Sequence, residues 1–338
     1  MNSNDFGKYL SNYFLKYIPH RTGYSDNTIK SYRDTFTIFL RYCNDVLRIK
    51  PDKLCFSKMS RNMVEDFLIW LEDIKNYSIS TRNQRLAALH AFFRYLQIEA
   101  PEYIELSNSI LSIRTKKTPK VEMNYLSIAA IKELLSISNK YNKDTRRDLA
   151  ILSLLYDTGA RVQELADVLV VDIRIKQPST ISLTGKGNKT RIIPLMPQTI
   201  NILKAYMKDC GLFNETKISS PLFFNKRKDK LTRAGVSYIV NKHIQTARKK
   251  RPDLFPNKVS PHIFRHSKAM HLLESGVNLI YIRDFLGHSS VTTTEIYAKS
   301  NPEVKRKAIE QASQNIIPDE KLTKKEKDDL LSWLKEFI

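Results

Sequence analysis

Residues 181–197 read ISLTGKGNKTRIIPLMP, and this stretch decides the fold class. Ile181 and Leu183 alternate with polar neighbours, as a half-buried strand requires. Gly185-Lys186-Gly187-Asn188 then supplies the residues that tolerate positive φ in a tight reversal. Lys189 to Leu195 returns as a second strand, stopped by Pro194 and Pro197. A run at Leu169 to Ile173 adds a candidate third strand. Elsewhere the apolar residues recur at helical spacing. The expectation is therefore a mainly α protein with one small antiparallel sheet.

Upstream, Phe6, Leu10, Tyr13, Phe14 and Tyr17 keep a helical period. Ser25 announces a helix carrying Ile29, Tyr32, Phe36, Phe39, Leu40, Cys43 and Leu47. Ser60 caps a third helix through Leu71, and Ser80 opens a fourth with Leu86, Leu89, Phe92, Phe93 and Leu96. These four helices make residues 1–112 one helical domain, with Arg82 and Arg85 as candidate nucleic-acid contacts on an exposed face. Residues 113–124 break the period with Lys116, Lys117, Pro119 and Lys120 and read as a basic linker able to track a phosphate backbone. Residues 125–338 form the second domain. There Ser127 caps a helix through Leu135, Arg147 to Tyr156 forms another, and a third starts near Arg161 after a turn at Gly159. Beyond the hairpin, helices are expected at Gln198–Lys208, Thr232–Lys249, His262–Glu274 and Leu279–Leu286, with Gly276 and Gly287 as left-handed stops.

With 338 residues the chain is long enough for two cores. A net charge of +21, spread along the chain and interleaved with aromatics, implies a polyanionic partner and favours nucleic acid. Cys43, Cys55 and Cys210 match neither a disulfide framework nor a metal spacing and read as reduced thiols. Neither a secretory segment nor an apolar run long enough for a membrane span is evident, so the expected compartment is the cytoplasm.

Several residues carry phosphate chemistry. Arg161 follows a glycine turn at a helix start whose free N–H groups favour an anion, and Glu164 stands one turn along to fix its guanidinium. His262 and Arg265, three apart after Pro261, share a helix face. Lys186 sits on the hairpin tip, where a flexible ammonium can reach a departing oxygen. His288 and Tyr297 complete the set with an imidazole and a hydroxyl nucleophile. A competing reading makes His262, His266 and His271 metal ligands. The missing glutamate after His262 argues against it and leaves His266 as a core residue or one supporting the site. The Gly-Lys-Gly tip lacks a Walker sequence, so neither ATP nor another cofactor is expected.

Order and spacing carry more than any one residue. Arg161 with Glu164, Lys186, His262-x-x-Arg265, Leu286-Gly287-His288 and Tyr297 nine residues on resemble the motif series of the tyrosine recombinase (phage integrase) family. The surrounding phrases TGARVQEL, LTGKGNKTRIIPL, SPHIFRHS and LGHSSVTTTEIYA carry the likeness across residues 125–300, while the N-terminal half is similar in size and helical character alone. The resemblance implies a two-domain clamp on double-stranded DNA, built from a core-binding domain and a catalytic domain. It implies that Tyr297 attacks the scissile phosphate to form a 3′-phosphotyrosine. Arg161, Arg265 and His288 would then stabilise the phosphate, Lys186 would be the general acid and His262 would help manage the tyrosine proton. It further implies four protomers in a synaptic complex at recombination sites. In the tail, Thr323 and Glu326 form a capping box for a helix at about 321–338, with Leu330, Leu331, Leu334, Phe337 and Ile338 as an apolar stripe. Such a helix either docks on a neighbouring protomer or packs on its own domain. A type IB topoisomerase, a DNA-binding protein without strand chemistry and a metal-dependent transposase are the alternatives.

Overall fold

The chain divides into two units, Met1–Val121 and Glu122–Ile338; among the described residues one apolar cluster lies in the first and two in the second. The computed structural model describes residues 5–118, 124–137, 143–185, 187–256, 259–288, 290–300 and 306.

The first unit begins with α1 (Asp5–Asn12), a π-turn over Tyr13–Tyr17 and α2 (Ile18–Arg21). The π-turn falls just before Pro19, whose missing N–H cannot extend the α ladder. Next come α3 (Asp26–Asp45), α4 (Arg61–Asp73), α5 (Ile79–Glu99) and α6 (Ile104–Leu111). Serine oxygens cap three of them, Ser25, Ser60 and Ser78 accepting the N–H groups of Thr28, Met63 and Thr81. The cap of α5 is thus Ser78 and not Ser80, which lies inside the first turn. Helix α6 was not expected, because its serines and asparagine are weak helix formers and Pro101 starts its entry turn.

Phe92 organises this core. It is fully buried and makes edge contacts with Phe6, Tyr13, Phe36 and Phe93. The unit also holds Ile113, which is buried, and Lys116, whose backbone exchanges hydrogen bonds with the Asn83 amide. The Asn83 amide thus ties the first residues of the expected linker to α5.

The second unit runs α7 (Ile128–Ile137), α8 (Lys143–Thr158), α9 (Val162–Asp167), β1 (Ile173–Arg174), β2 (Thr180–Thr184), β3 (Thr190–Pro194) and α10 (Pro197–Asp209). It continues with α11 (Arg233–Lys250), α12 (Ile263–Glu274), α13 (Leu279–Leu286) and α14 (Thr292–Ser300). The sheet order is β1-β2-β3, all antiparallel. Ile181 pairs with Ile193 and Leu183 with Arg191, so these four side chains share the face turned to the core. The third strand is shorter than the Leu169–Ile173 run. Asp172 accepts the Leu169 N–H at 2.8 Å and winds residues 170–172 into a 3₁₀ turn. Helix α8 is the spine, with Ala150, Ile151, Leu152, Leu154 and Leu155 fully buried.

Among the described residues no helix is long and apolar enough to cross a membrane. Phe92→Ala should cost the first unit about 3–5 kcal/mol, read as a lowered urea midpoint for that unit's transition with the second unit's transition unmoved.

Candidate active site

The turn after α8 sets the geometry. Thr158 Oγ1 donates to the Leu154 carbonyl at 2.6 Å and accepts the Ala160 N–H, closing the helix end. Gly159 then takes φ +59°, and a Cβ there would lie 2.8 Å from Leu286 Cδ2. Both the left-handed backbone and the close approach of α13 demand glycine. Arg161 follows as the N-cap of α9.

Glu164 is the anchor of that helix start. Its carboxylate is 5% exposed and accepts the Arg161 N–H at 2.9 Å and Arg161 Nη1 at 2.6 Å. It also accepts Arg191 Nη1 at 3.2 Å and Nη2 at 2.7 Å. Burial alone would raise the Glu164 pKa, but the hydrogen bonds and charges of Arg191 and Arg161 hold it below the ordinary carboxylate value. Arg191 also donates from Nε to the Phe285 carbonyl at 3.0 Å, and it packs so close to Gly287 that a Cβ there would meet Nη1 at 3.0 Å. One guanidinium thus joins β3, α9 and the end of α13. The sequence reading missed Arg191. Its signal is the strand period, which puts it opposite buried Leu183 on the inward face, where an arginine needs an acid.

Helix α12 supplies the second cation. Arg265 is 4% exposed and donates from Nη1 to the Gly159 carbonyl at 2.8 Å and from Nη2 to the Leu286 carbonyl. Burial, with the nearby Arg161 charge next, draws its pKa down to about 10. Two guanidiniums this close repel, and an anion shared between them would relieve that repulsion. His262 is the exposed N-cap residue that precedes the same helix. Partial burial and the cations Arg233, Arg265 and Arg161 hold its imidazole below the usual pKa.

Gly287, at φ +64°, ends α13 and turns the chain to His288. His288 Nδ1 lies 2.9 Å from Thr294 Oγ1, and its ring stacks on Tyr297 at 7° and 6.4 Å. Tyr297, on α14, is 2% exposed among Ala269, Met270, Ile282 and Leu286. Burial raises the Tyr297 pKa, while the charges of Arg265 and Arg161 pull it back. The imidazole within hydrogen-bond distance of its hydroxyl is that of His266, at 3.1 Å from Nδ1. His266 was expected in the core or in support. It touches the hydroxyl, because one residue past Arg265 on α12 faces α14.

The structure therefore brings together Arg161, Glu164, Arg265, His288 and Tyr297, with His262 at the rim. Lys186 lies outside the described residues, but its neighbour Gly185 stands beside the site, with a Cβ position 3.0 Å from Glu164 Oε1 and 3.6 Å from Arg161 Nη1. Lys120 and the tail helix at about 321–338 also lie outside the described residues. His271 Nδ1 is 3.0 Å from the Tyr156 hydroxyl, and the described residues contain no cluster of three metal-ligating side chains.

Arg82 and Arg85 do not form the expected outward basic face. Arg82 is buried, 3.6 Å from Glu72, and donates to the Arg114 carbonyl, while Arg85 donates to the Ser31 carbonyl and Thr35 Oγ1. The reason is local: both lie on the side of α5 that packs on neighbouring segments, where internal oxygens are at hand. Lys116 pairs with Glu72 at 2.8 Å but keeps half its side chain exposed, and Lys117 is exposed.

Glu164→Gln should destabilise the second unit by about 2 kcal/mol, below the usual cost of breaking a buried pair because Arg161 is partly solvated. The Glu164 contribution is present above the unfolded carboxyl pKa of about 4.3 and is lost as pH falls through the lower folded value. Urea unfolding across pH 7 to 3 should show a flatter stability curve for the variant.

A sequence profile of the phage integrase family matches residues 124–304, and that of the phage integrase N-terminal SAM-like domain matches residues 10–100. The chain is 33% identical over 304 residues to the putative integrase/recombinase y4rC of Sinorhizobium fredii, covering 90% of both chains. It is 31% identical to the tyrosine recombinase XerC of Herpetosiphon aurantiacus, covering 84% of this chain and 88% of the relative. Among solved structures, the Tn1549 transposon integrase in complex with transposon right end DNA is similar in fold, with a TM-score of 0.69, 18% identity, and coverage of 89% of this chain and 98% of that one. The XerH site-specific recombinase bound to difH substrate matches with a TM-score of 0.64 at 24% identity, covering 83% of this chain and 78% of that one. On the match of its second half to the family profile and its identity to these recombinases, the chain belongs to the phage integrase family, the tyrosine recombinases.

Proposed function

We propose that this protein is a site-specific recombinase that cuts and rejoins double-stranded DNA through a 3′-phosphotyrosine. The carrying observation is the convergence of Tyr297 with Arg265, Arg161 and His288, drawn from four separate parts of the second unit, where the arginine charges reach the tyrosine hydroxyl. In-line attack by Tyr297 Oη on a backbone phosphate places new negative charge on the non-bridging oxygens. Arg161 and Arg265 are built to take it, since guanidinium forks hold two oxygens and stay charged. Glu164 keeps Arg161 aimed, and His288 adds a donor. Lys186 is assigned as the general acid for the 5′ oxygen, a role supported by the place of Gly185 against Arg161 and Glu164. His262, at the rim, is assigned a share in managing the tyrosine proton. The energy of the broken bond is retained in the phosphotyrosine, so rejoining needs no high-energy cofactor.

The net charge of +21 suits a long phosphate track, and DNA is the bound partner in the related XerH and Tn1549 structures. Residues 1–112 are assigned as the core-binding domain and residues 125–338 as the catalytic domain, with Lys116, Lys117 and Lys120 on the DNA path. Four protomers would assemble at paired recombination sites, joined by exchange of the tail helix at about 321–338. Integration, excision or transposition of a mobile element and resolution of DNA molecules all use this chemistry, and it operates on cytoplasmic DNA.

The test is covalent trapping on a nicked DNA carrying the recombination site, in EDTA. Wild type should give an SDS-resistant adduct mapping to Tyr297. Tyr297→Phe should bind the same DNA and give none, and Arg161→Ala should cleave at least about 10²-fold more slowly. An adduct surviving Tyr297→Phe would assign the nucleophile elsewhere.

A further inference from the structure

A phenol cannot attack phosphorus while it keeps its proton, and burial strengthens the hold of Tyr297 on that proton. Some group beside Oη must take it as the bond to phosphorus forms. His266 Nδ1 lies 3.1 Å from Oη, with the rings tilted at 54° and their centroids 5.8 Å apart. This is the distance general-base transfer requires. His288 has its Nδ1 at Thr294 Oγ1, and its ring lies stacked on the tyrosine. His262 stands at the exposed start of α12.

We propose that His266 is a catalytic residue, the proton acceptor for Tyr297. It rests on the reading of Tyr297 as nucleophile. As Oη attacks, its O–H bond breaks and the proton passes to Nδ1. The Oη–P bond forms, the P–O5′ bond breaks, and the departing 5′ oxygen takes its proton from the general acid. Rejoining runs the steps backwards: the 5′ hydroxyl attacks, and the imidazolium returns its proton to the leaving Tyr297.

The surroundings make this workable. Burial, with His262 and Arg265 beside it, draws the His266 pKa down to about 4, so the resting ring is neutral, and its Nε2–H tautomer is the one that presents a bare Nδ1 to the phenol O–H. A phosphate arriving at Arg265 offsets one of the charges that depress the imidazole, so basicity rises when substrate is in place. Bond formation to phosphorus acidifies Oη at the same moment.

The experiment is single-turnover cleavage by the full chain of a nicked site with either an ordinary 5′ oxygen or a bridging 5′ sulfur, a leaving group that needs no acid. His266→Ala and His266→Asn are compared with wild type, and DNA binding and thermal melting are recorded alongside. Asn keeps an acceptor near the Nδ1 position without its basicity. Both variants should bind DNA normally and cleave about 10²-fold or more slowly on both substrates. Wild-type speed for His266→Asn, or recovery of either variant by the sulfur substrate, would overturn the proposal. If wild type forms a Tyr297 adduct and His266→Asn matches it, this inference alone fails. A wild type with no adduct overturns the nucleophile assignment beneath it. A second measurement needs no histidine variant: the ¹⁵N resonance of His266 Nδ1 should shift between wild type and Tyr297→Phe, and an unchanged resonance would also overturn the proposal.

Discussion

One buried carboxylate holds the candidate active site in register. Glu164 accepts hydrogen bonds from Arg161 and from Arg191, and Arg191 reaches on to the Phe285 carbonyl. That chain of contacts ties the start of α9, the strand leaving the hairpin, and the end of α13 to a single point. Without the carboxylate, two guanidiniums would face each other in a low-dielectric site, with Arg265 adding a third charge nearby. The acid lets the unit fold around a cluster of cations while leaving Arg161 partly exposed to an incoming anion.

The two arginines of the family pattern are therefore not equivalent. Arg265 is fixed from behind by the Gly159 and Leu286 carbonyls and is nearly inaccessible, whereas Arg161 is held by one acid and retains about a third of its exposure. Backbone carbonyls orient Arg265 without neutralising it, so its charge remains available to Tyr297 and to a phosphate. The glycines at 159 and 287 make this possible. Each sits where α13 or Arg191 presses against the backbone, and each carries a positive φ.

The hairpin, the cap residues Ser25, Ser60 and Ser127, and the glycine stops were legible because they follow from local rules: periodicity, side-chain caps and permitted φ. Errors came where a local rule had a nearby competitor. Asp172 took a strand residue's N–H and shortened β1, and Ser78 displaced Ser80 as the cap of α5. Arg82 and Arg85 looked like surface cations, since nothing in a helical period tells an arginine facing solvent from one facing Glu72, or Ser31 and Thr35.

By itself the sequence determined the class of fold, the order of the candidate phosphate-binding residues and the identity of the nucleophile candidate, because spacing along a chain survives without coordinates. Tertiary structure decided which residues serve those groups. Arg191 is 27 residues from Glu164, and His266 is 31 from Tyr297. No local period connects such pairs, and only the packing of β3 on α9 and of α12 on α14 brings a guanidinium to the acid and an imidazole to the hydroxyl.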